Sequence, residues 1–549
     1  MALSDSVVNN SLVQELSDTS TGDSDKQIVA NEGDTVQPQR SQSSPSKISK
    51  YPPELLGKIF EWSVALGRDH PLYDPFRDPK KGTYNFLSVC HYWTNVACGN
   101  QKLWTFWGPD LKEWARNGLP DRARDLLVDL TFSQRRGDPE ELSAELEKAL
   151  KVRAGGDKIR QIHLESVNNA KLLRSILSAL TPDGKGIPRK SMESIIFRTS
   201  GEVPEEISNF FAQSSLPGLR CLEMSGSLRI PMWDHMPSQI TGLTCLSLIF
   251  AQASLIKTTH FPTTRQLTTL LAANPNLQEL ELWGALPEKI EDFRDAKIPL
   301  DHLTTIKLFG GSYSTVELLS ILRFPATLDV VHLAMVDPKL DSMDQILGPH
   351  IEDLFRDAKF SESLQVFALD SDMRQVRVHV IPYNSLEVEG PEKIFDIHLS
   401  GPRDPLELKQ LAIDLMKLVP RERVEALEMC HTPEVPDEPF IGMPKLKALE
   451  LNHVVLSKAQ FLQADPDGAH SGMNLFPSLE TLGLTWVVLK DRTWQRLRDY
   501  VENQSSGGVF KTLDVIQSCA DELDRNEWRE MTEYFERLGV DAYFHSDND

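Results

Sequence analysis

One short pattern, apolar-x-x-apolar-x-apolar, returns thirteen times along this chain, and no other feature limits its possible folds as tightly. It reads IRQIHL from Ile159, MESIIF from Met192, LRCLEM from Leu219, LTCLSL from Leu243, LQELEL from Leu277, LTTIKL from Leu303 and LDVVHL from Leu328. It continues as LQVFAL from Leu364, IFDIHL from Ile394, VEALEM from Val424, LKALEL from Leu446, LETLGL from Leu479 and FKTLDV from Phe510. From 159 to 510 is 351 residues over twelve intervals, so the mean period is about 29. A fixed period of that size marks a stacked repeat array. The closing apolar residues of each copy alternate with polar ones, the period of a β-strand. Helical stretches lie between copies, such as Thr263–Pro275 and Ser314–Pro325, where Asn274-Pro275 and Phe324-Pro325 end the helix before the next strand. A strand–helix unit this small cannot hide its own apolar side, so neighbours must stack.

The pattern resembles the leucine-rich-repeat family. That resemblance implies an α/β solenoid with parallel strands on a concave face and helices outside, over residues 156–545. The copies depart from the family in two ways. Their spacing swings from 22 to 36 residues, and the asparagine that follows the third apolar position is mostly absent. An irregular arc follows from both. The segment Gln375–Gly390 does not fit the frame and reads as an extra strand pair. VDAYFH, from Val540, reads as a final strand or cap.

Ahead of the array, residues 1–48 are rich in Ser, Asp, Gln and Thr and lack Trp, Phe and Tyr. Such a segment buries too little apolar area to offset its chain entropy, so a disordered tail is expected. Order is expected from residue 49. Pro52 and Pro53 suit a helix's first turn, where missing N–H groups cost nothing, and Glu54 suits its positive end. Leu55, Leu56, Ile59 and Phe60 then share one helical face. Phe86, Val89, Trp93 and Ala97 make a second stripe, with Gly99 and Asn100 to close it and Leu103-Trp104 to open a short turn. Residues 49–108 thus form a small helical unit with more apolar surface than its size can bury. Residues 109–155 read as connecting helices, with a stripe of Leu142, Leu146, Ala149 and Leu150.

The order PPELLGKIF, LSVCHYW and then Leu103-Trp104 resembles the F-box, in the F-box-like variety abundant in fungal proteins. Pro52, Pro53, Glu54, Leu55, Leu56, Ile59, Phe60, Leu87, Cys90, Trp93, Ala97, Leu103 and Trp104 match that pattern, and the insert Gly67–Gly82 departs from it. The resemblance implies docking on the adaptor protein of an SCF-type, cullin–RING ubiquitin ligase. Pro52, Pro53, Leu55, Leu56, Ile59, Phe60, Leu87, Val89 and Trp93 would make or support that contact. The competing reading makes Leu56, Phe60, Cys90 and Trp93 the unit's own core, and the protein a repeat scaffold whose helices pack on its own solenoid.

The net charge of −22 sets the chain apart from partners that require basic patches, namely nucleic acid and anionic membranes. No run of eighteen apolar residues and no signal-peptide pattern occur, so a cytoplasmic or nuclear protein is expected. The six cysteines form no CxxC pair, which points to reduced, mostly buried thiols. Neither a phosphate-binding GxxxxGK[ST] nor GxSxG nor HExxH is present, and the histidines are dispersed. No cofactor, no metal and no catalytic residue is therefore expected.

The residue between the last two apolar positions of each copy should point into the concavity. In order these are His163, Ile196, Glu223, Ser247, Glu281, Lys307, His332, Ala368, His398, Glu428, Glu450, Gly483 and Asp514. Five are acidic and one is a lysine, which fits either a surface for a basic segment of a target protein or ordinary solvated charge. Trp283 and Phe309, at the ends of neighbouring strands, are candidate aromatic anchors or the core of a loop cap.

Overall fold

All thirteen apolar hexamers contain a strand, and all thirteen strands lie in one sheet. The computed structural model describes residues 51–69, 89–107, 126–133, 158–165, 191–202, 215–227, 240–250, 262–286, 297–325, 328–336, 364–371, 375–382, 394–400, 414–416, 418–430, 443–453, 476–487, 491–517 and 525–546, with a few single positions between them. The tail read over 1–48, the stripe from Leu142 to Leu150, Phe86 and Leu87 lie outside the described residues. The chain divides into two units, Met1–Pro52 and Pro53–Asp549; everything below concerns the second unless Tyr51 or Pro52 is named.

The second unit opens with helix α1 (Pro53–Asp69), helix α2 (His91–Gly99) and a 3-10 turn (Gln101–Trp104). Strands β1 (Phe106–Trp107), β2 (Val128–Ser133), β3 (Ile159–Glu165), β4 (Ser194–Glu202), β5 (Cys221–Ser227) and β6 (Cys245–Ile249) follow. Helix α3 (Thr264–Ala272) leads to β7 (Glu279–Trp283), and a two-residue strand β8 (Ile298–Pro299) to β9 (Thr305–Gly311). Then come helix α4 (Ser312–Ile321), β10 (Leu322–Arg323), β11 (Val330–Val336), β12 (Leu364–Ser371), β13 (Gln375–Pro382) and β14 (Ile394–Ser400). The chain continues through β15 (Val424–Cys430), β16 (Ala448–Asn452), β17 (Thr481–Val487), helix α5 (Asp491–Ser505), β18 (Thr512–Gln517), helix α6 (Arg525–Arg537) and β19 (Asp541–Ser546). Among the described residues, strands β8 and β10 pair with each other as a separate two-stranded sheet.

Among the described residues, seventeen strands form the main sheet. From β1 to β7, then through β9 to β11, each strand pairs in parallel with the next. The same holds from β15 to β19. In the middle the order changes. Strand β11 pairs with β14, not with β12, and β12 pairs with β15. Between them lies β13, antiparallel to both neighbours. The segment from Gln375 is therefore one extra strand, and its three-strand meander is inserted in reverse order. Buried side chains still meet across the joint, with Val331, Leu333 and Met335 opposite Phe395, Ile397 and Leu399.

Alternation decides which face is packed. Ile162 and Leu164, Leu222 and Met224, Leu280 and Leu282, Leu482 and Leu484 are all buried, and the residues between them are not. Leu267, Leu270 and Leu271 of α3 and Leu497 and Val501 of α5 belong to the same buried cluster. At about 25 cal/mol per Å2 of apolar area removed from water, this continuous core is the main stabilising term. Helix α3 starts at a reciprocal cap: Thr263 Oγ1 accepts from Gln266 N, and Gln266 Oε1 accepts from Thr263 N. Its last turn is anchored by Asn274. This buried side chain accepts from the N–H groups of Gly242 and Leu243 at 2.7 and 2.8 Å, and donates to Leu270 O and Ile240 O at 2.8 and 3.2 Å.

Three local expectations are corrected. Residues 128–133, inside the stretch read as connecting helices, are strand β2 of the main sheet. The overlooked copy of the pattern is Leu127-x-x-Leu130-x-Phe132. Helix α2 begins at His91, so Val89 precedes it and does not share its stripe. Of the five described cysteines only Cys430 is buried; Cys98, Cys221 and Cys245 are half-buried and Cys90 is exposed. VDAYFH does supply the last strand, β19.

Candidate protein-docking surfaces

The apolar residues of α1 face two ways. Leu56 and Phe60 are buried together with Ala97, Leu103 and Trp104, in one cluster with Val128 and Leu130 of β2. Trp93 packs its ring 5.2 Å from Phe60 and is half-buried. Trp104 Nε1 donates to Ala97 O at 2.9 Å, so the turn's polar edge is satisfied inside the core. Asn100 ties the turn to α1: its Nδ2 donates to Glu61 Oε1 at 3.0 Å and to Gly57 O at 3.3 Å, while its Oδ1 accepts from Lys102 N. Burial acts to raise the Glu61 pKa, but the hydrogen bonds from Lys58 and Asn100 outweigh it and hold the carboxyl below its ordinary value.

The other side of α1 is open. Leu55 is 54% exposed, Ile59 50% and Trp62 69%, and these residues recur at spacings of four and three, one stripe along the helix. Val89 is 55% exposed. Leu55, Leu56, Ile59 and Phe60 therefore do not share a face. Adjacent positions on a helix point about 100° apart, so Leu56 and Phe60 support the surface that Leu55 and Ile59 present. Trp62 was missed, although it completes the i, i+4, i+7 series. Pro52 and Pro53 are exposed, and Leu87 lies outside the described residues.

The second surface is the sheet's unpacked face. Strand register places one residue per strand in a continuous row: Thr131, His163, Ile196, Glu223, Ser247, Glu281, Lys307, His332, Asp396, His379, Phe367, Glu428, Glu450, Gly483, Asp514 and Tyr543. Eleven of the thirteen residues expected there are in it. The exceptions come from the reversed meander, where Asp396 replaces His398 and Phe367 replaces Ala368. His398 sits one row along, opposite Ala334.

Charges in this row are organised by contacts. Arg198 Nε donates to Glu223 Oε1 at 2.6 Å, and Ser247 Oγ donates to Glu281 Oε2 at 2.8 Å. Asp396 is buried between two imidazoles, His332 Nε2 at 3.6 Å and His379 Nδ1 at 3.8 Å. Burial, then the nearby Arg198 cation, pushes the His163 pKa down. In the C-terminal half, shielding from water raises the Glu450 pKa first, and repulsion from Glu428 and Asp514 adds to it. Gly483 sits in register between Glu450 and Asp514. A Cβ there would lie 3.2 Å from Glu450 Cγ, so the missing side chain gives Glu450 room to lie across the strand.

Trp283 and Phe309, register partners on β7 and β9, stack at 4.6 Å with 26° between their planes. Trp283 is 44% exposed, so this pair is a surface feature and not the core of a cap. Gly284 is what allows it. It has φ +63°, and a Cβ there would fall 2.6 Å from Phe250 O. The chain can therefore turn sharply behind Trp283, with Gly284 N donating to Phe309 O. A second pair was not foreseen: His453 and Trp486 stack at 5.3 Å and 10°, both at positive φ. Its only sequence signal is an aromatic just past an apolar triplet, as at Trp283.

Among the described residues, no group of three or more His, Cys, Asp or Glu could hold a metal ion, and no helix is long and apolar enough to cross a membrane. No protein-family model matches the chain, and no curated protein matches it by sequence. Among solved structures, the chain is similar to one described as the Rad7 and Elc1 complex in yeast. The identity is 10%, with 80% of this chain and 90% of that chain covered at a TM-score of 0.30. A TM-score of this size does not establish a shared fold.

Proposed function

We propose that this protein recruits target proteins to a cullin–RING ubiquitin ligase, docking on the ligase adaptor through α1 and holding the target on the open face of its sheet. One observation carries the reading. The helical unit already buries Leu56, Phe60, Ala97, Leu103 and Trp104, in one cluster with the sheet's core, and still presents Leu55, Ile59 and Trp62 to water. Burying such side chains is worth about 1.5–3 kcal/mol each, which is the scale of interface hot spots. The acidic row and the Trp283–Phe309 stack, a few strands away, fit a target segment that offers basic and apolar side chains. On this reading the chain performs no bond chemistry. Holding the target near the ubiquitin-charged enzyme supplies the rate through effective concentration.

Binding of the purified adaptor to the intact protein, measured by calorimetry, tests the proposal. The double variant Leu55→Asp, Ile59→Asp should lose at least about 30-fold in affinity, roughly 2 kcal/mol, without a change in melting temperature. Equal binding by wild type and variant, or none by wild type, sinks it. The second outcome favours the scaffold alternative, which the cluster shared by α1 and β2 supports.

A further inference from the structure

Two of the free thiols are neighbours. Cys221 and Cys245 open strands β5 and β6 and are register partners, so their side chains leave the sheet side by side on the open face. Both backbones are pinned there, with Cys221 N donating to Glu193 O at 3.0 Å and Cys245 N to Arg220 O at 2.9 Å. Paired strands stand about 4.8 Å apart, inside the Cα–Cα range of about 4.4–6.8 Å that a disulfide requires. The register therefore sets the two side chains against each other with no residue between them.

We propose that Cys221 and Cys245 form a reversible oxidation site, closed to a cross-strand disulfide by a hydroperoxide. The Cys221 thiolate attacks the O–O bond of hydrogen peroxide, takes one oxygen as sulfenic acid and releases hydroxide. The Cys245 sulfur then displaces that oxygen, and its proton leaves with it as water. Two thiols give up two electrons, and the peroxide is reduced to water and hydroxide.

The surroundings assign the roles. Hydrogen bonding from Cys245 lowers the Cys221 pKa to about 7 against the opposing effect of burial, with Ser194 helping. Roughly half of Cys221 is then thiolate at neutral pH, against a few per cent for an ordinary thiol. Cys245 is the proton donor of the pair; its pKa is driven up by that bond, by burial and by Glu279, its register partner on β7. It suits the resolving position. The other described cysteines lack this arrangement. Cys430 is buried, with its pKa pushed up to about 12 by burial and Glu428.

The test uses intact wild-type protein. After treatment with hydrogen peroxide and alkylation of the remaining thiols, non-reducing peptide mapping should find the Cys221 and Cys245 peptides joined and lighter by two hydrogen atoms. Dithiothreitol should separate them. In Cys245→Ser, Cys221 should stop at sulfenic acid and be trapped by dimedone; in Cys221→Ser, Cys245 should remain a thiol. At pH 7 Cys221 should alkylate about tenfold faster than an unperturbed thiol. Recovery of both cysteines as free thiols, or of Cys221 as sulfinic acid with Cys245 unlinked, overturns the proposal. Neither outcome depends on whether the protein binds a ligase.

Discussion

Asn274 carries more than its own helix. Its buried amide closes the end of α3 and also satisfies two backbone N–H groups entering β6, that of buried Leu243 and that of half-buried Gly242. Asn274→Ala leaves those donors unpaired at about 1–3 kcal/mol per group. A loss of about 3 kcal/mol is expected, read as a fall in the urea midpoint with unchanged slope. His163 makes a pH-dependent contribution. Its folded pKa lies below the ordinary 6.5, so between the two values the unfolded chain binds a proton that the folded chain refuses. Stability therefore falls as pH drops below about 6.5. Thermal melting from pH 7.5 to 5.5 should show His163→Gln losing that part of the decline. Glu450 has the opposite sign, because its raised pKa makes the carboxylate form unfavourable in the folded state. Glu450→Gln should stabilise the protein at pH 7, by less than about 1 kcal/mol given solvent screening, and the gain should vanish on acidification through the folded pKa. A smaller change at pH 7 than at pH 4 would contradict this.

At the scale of elements, α1 is the sharpest case. Its apolar content was legible in PPELLGKIF, but the division of that content was not. Leu55 and Leu56 are the same residue type one position apart, and only contact with Ala97, Leu103 and Trp104 makes Leu56 core. Leu56→Ala should cost about 2–5 kcal/mol in thermal melting, while Ile59→Ala should stay within about 0.5 kcal/mol. Comparable losses at both positions would refute the two-sided helix. Strands β7 and β9 give a second test. Trp283→Ala removes the exposed half of a stacked pair. It should weaken target binding by at least about tenfold while leaving the melting temperature nearly unchanged.

For the whole molecule, six of the sixteen residues in the row are carboxylates (Glu223, Glu281, Asp396, Glu428, Glu450, Asp514), all but Asp396 accessible to water, against one lysine, Lys307. Affinity for a basic target should fall between low and physiological salt, because exposed charges beyond about 8 Å are then screened. Affinity that does not respond to salt would remove electrostatics from recognition. Much of this architecture could be read locally. Alternation over six residues fixes which side chains share a face, since the strand period is two wherever the strand lies. Thirteen strands and eleven of the thirteen row positions followed from that geometry alone. Neighbour order did not. Strands β12 and β14 carry the same alternation, so nothing within either says which adjoins β11. Long-range packing around an antiparallel β13 chose β14, and with it Asp396 in place of His398. The Cys221–Cys245 pairing has the same origin. Local pattern reaches only as far as a few bonds of backbone geometry reach, and which segments meet is decided by burying the whole apolar surface at once.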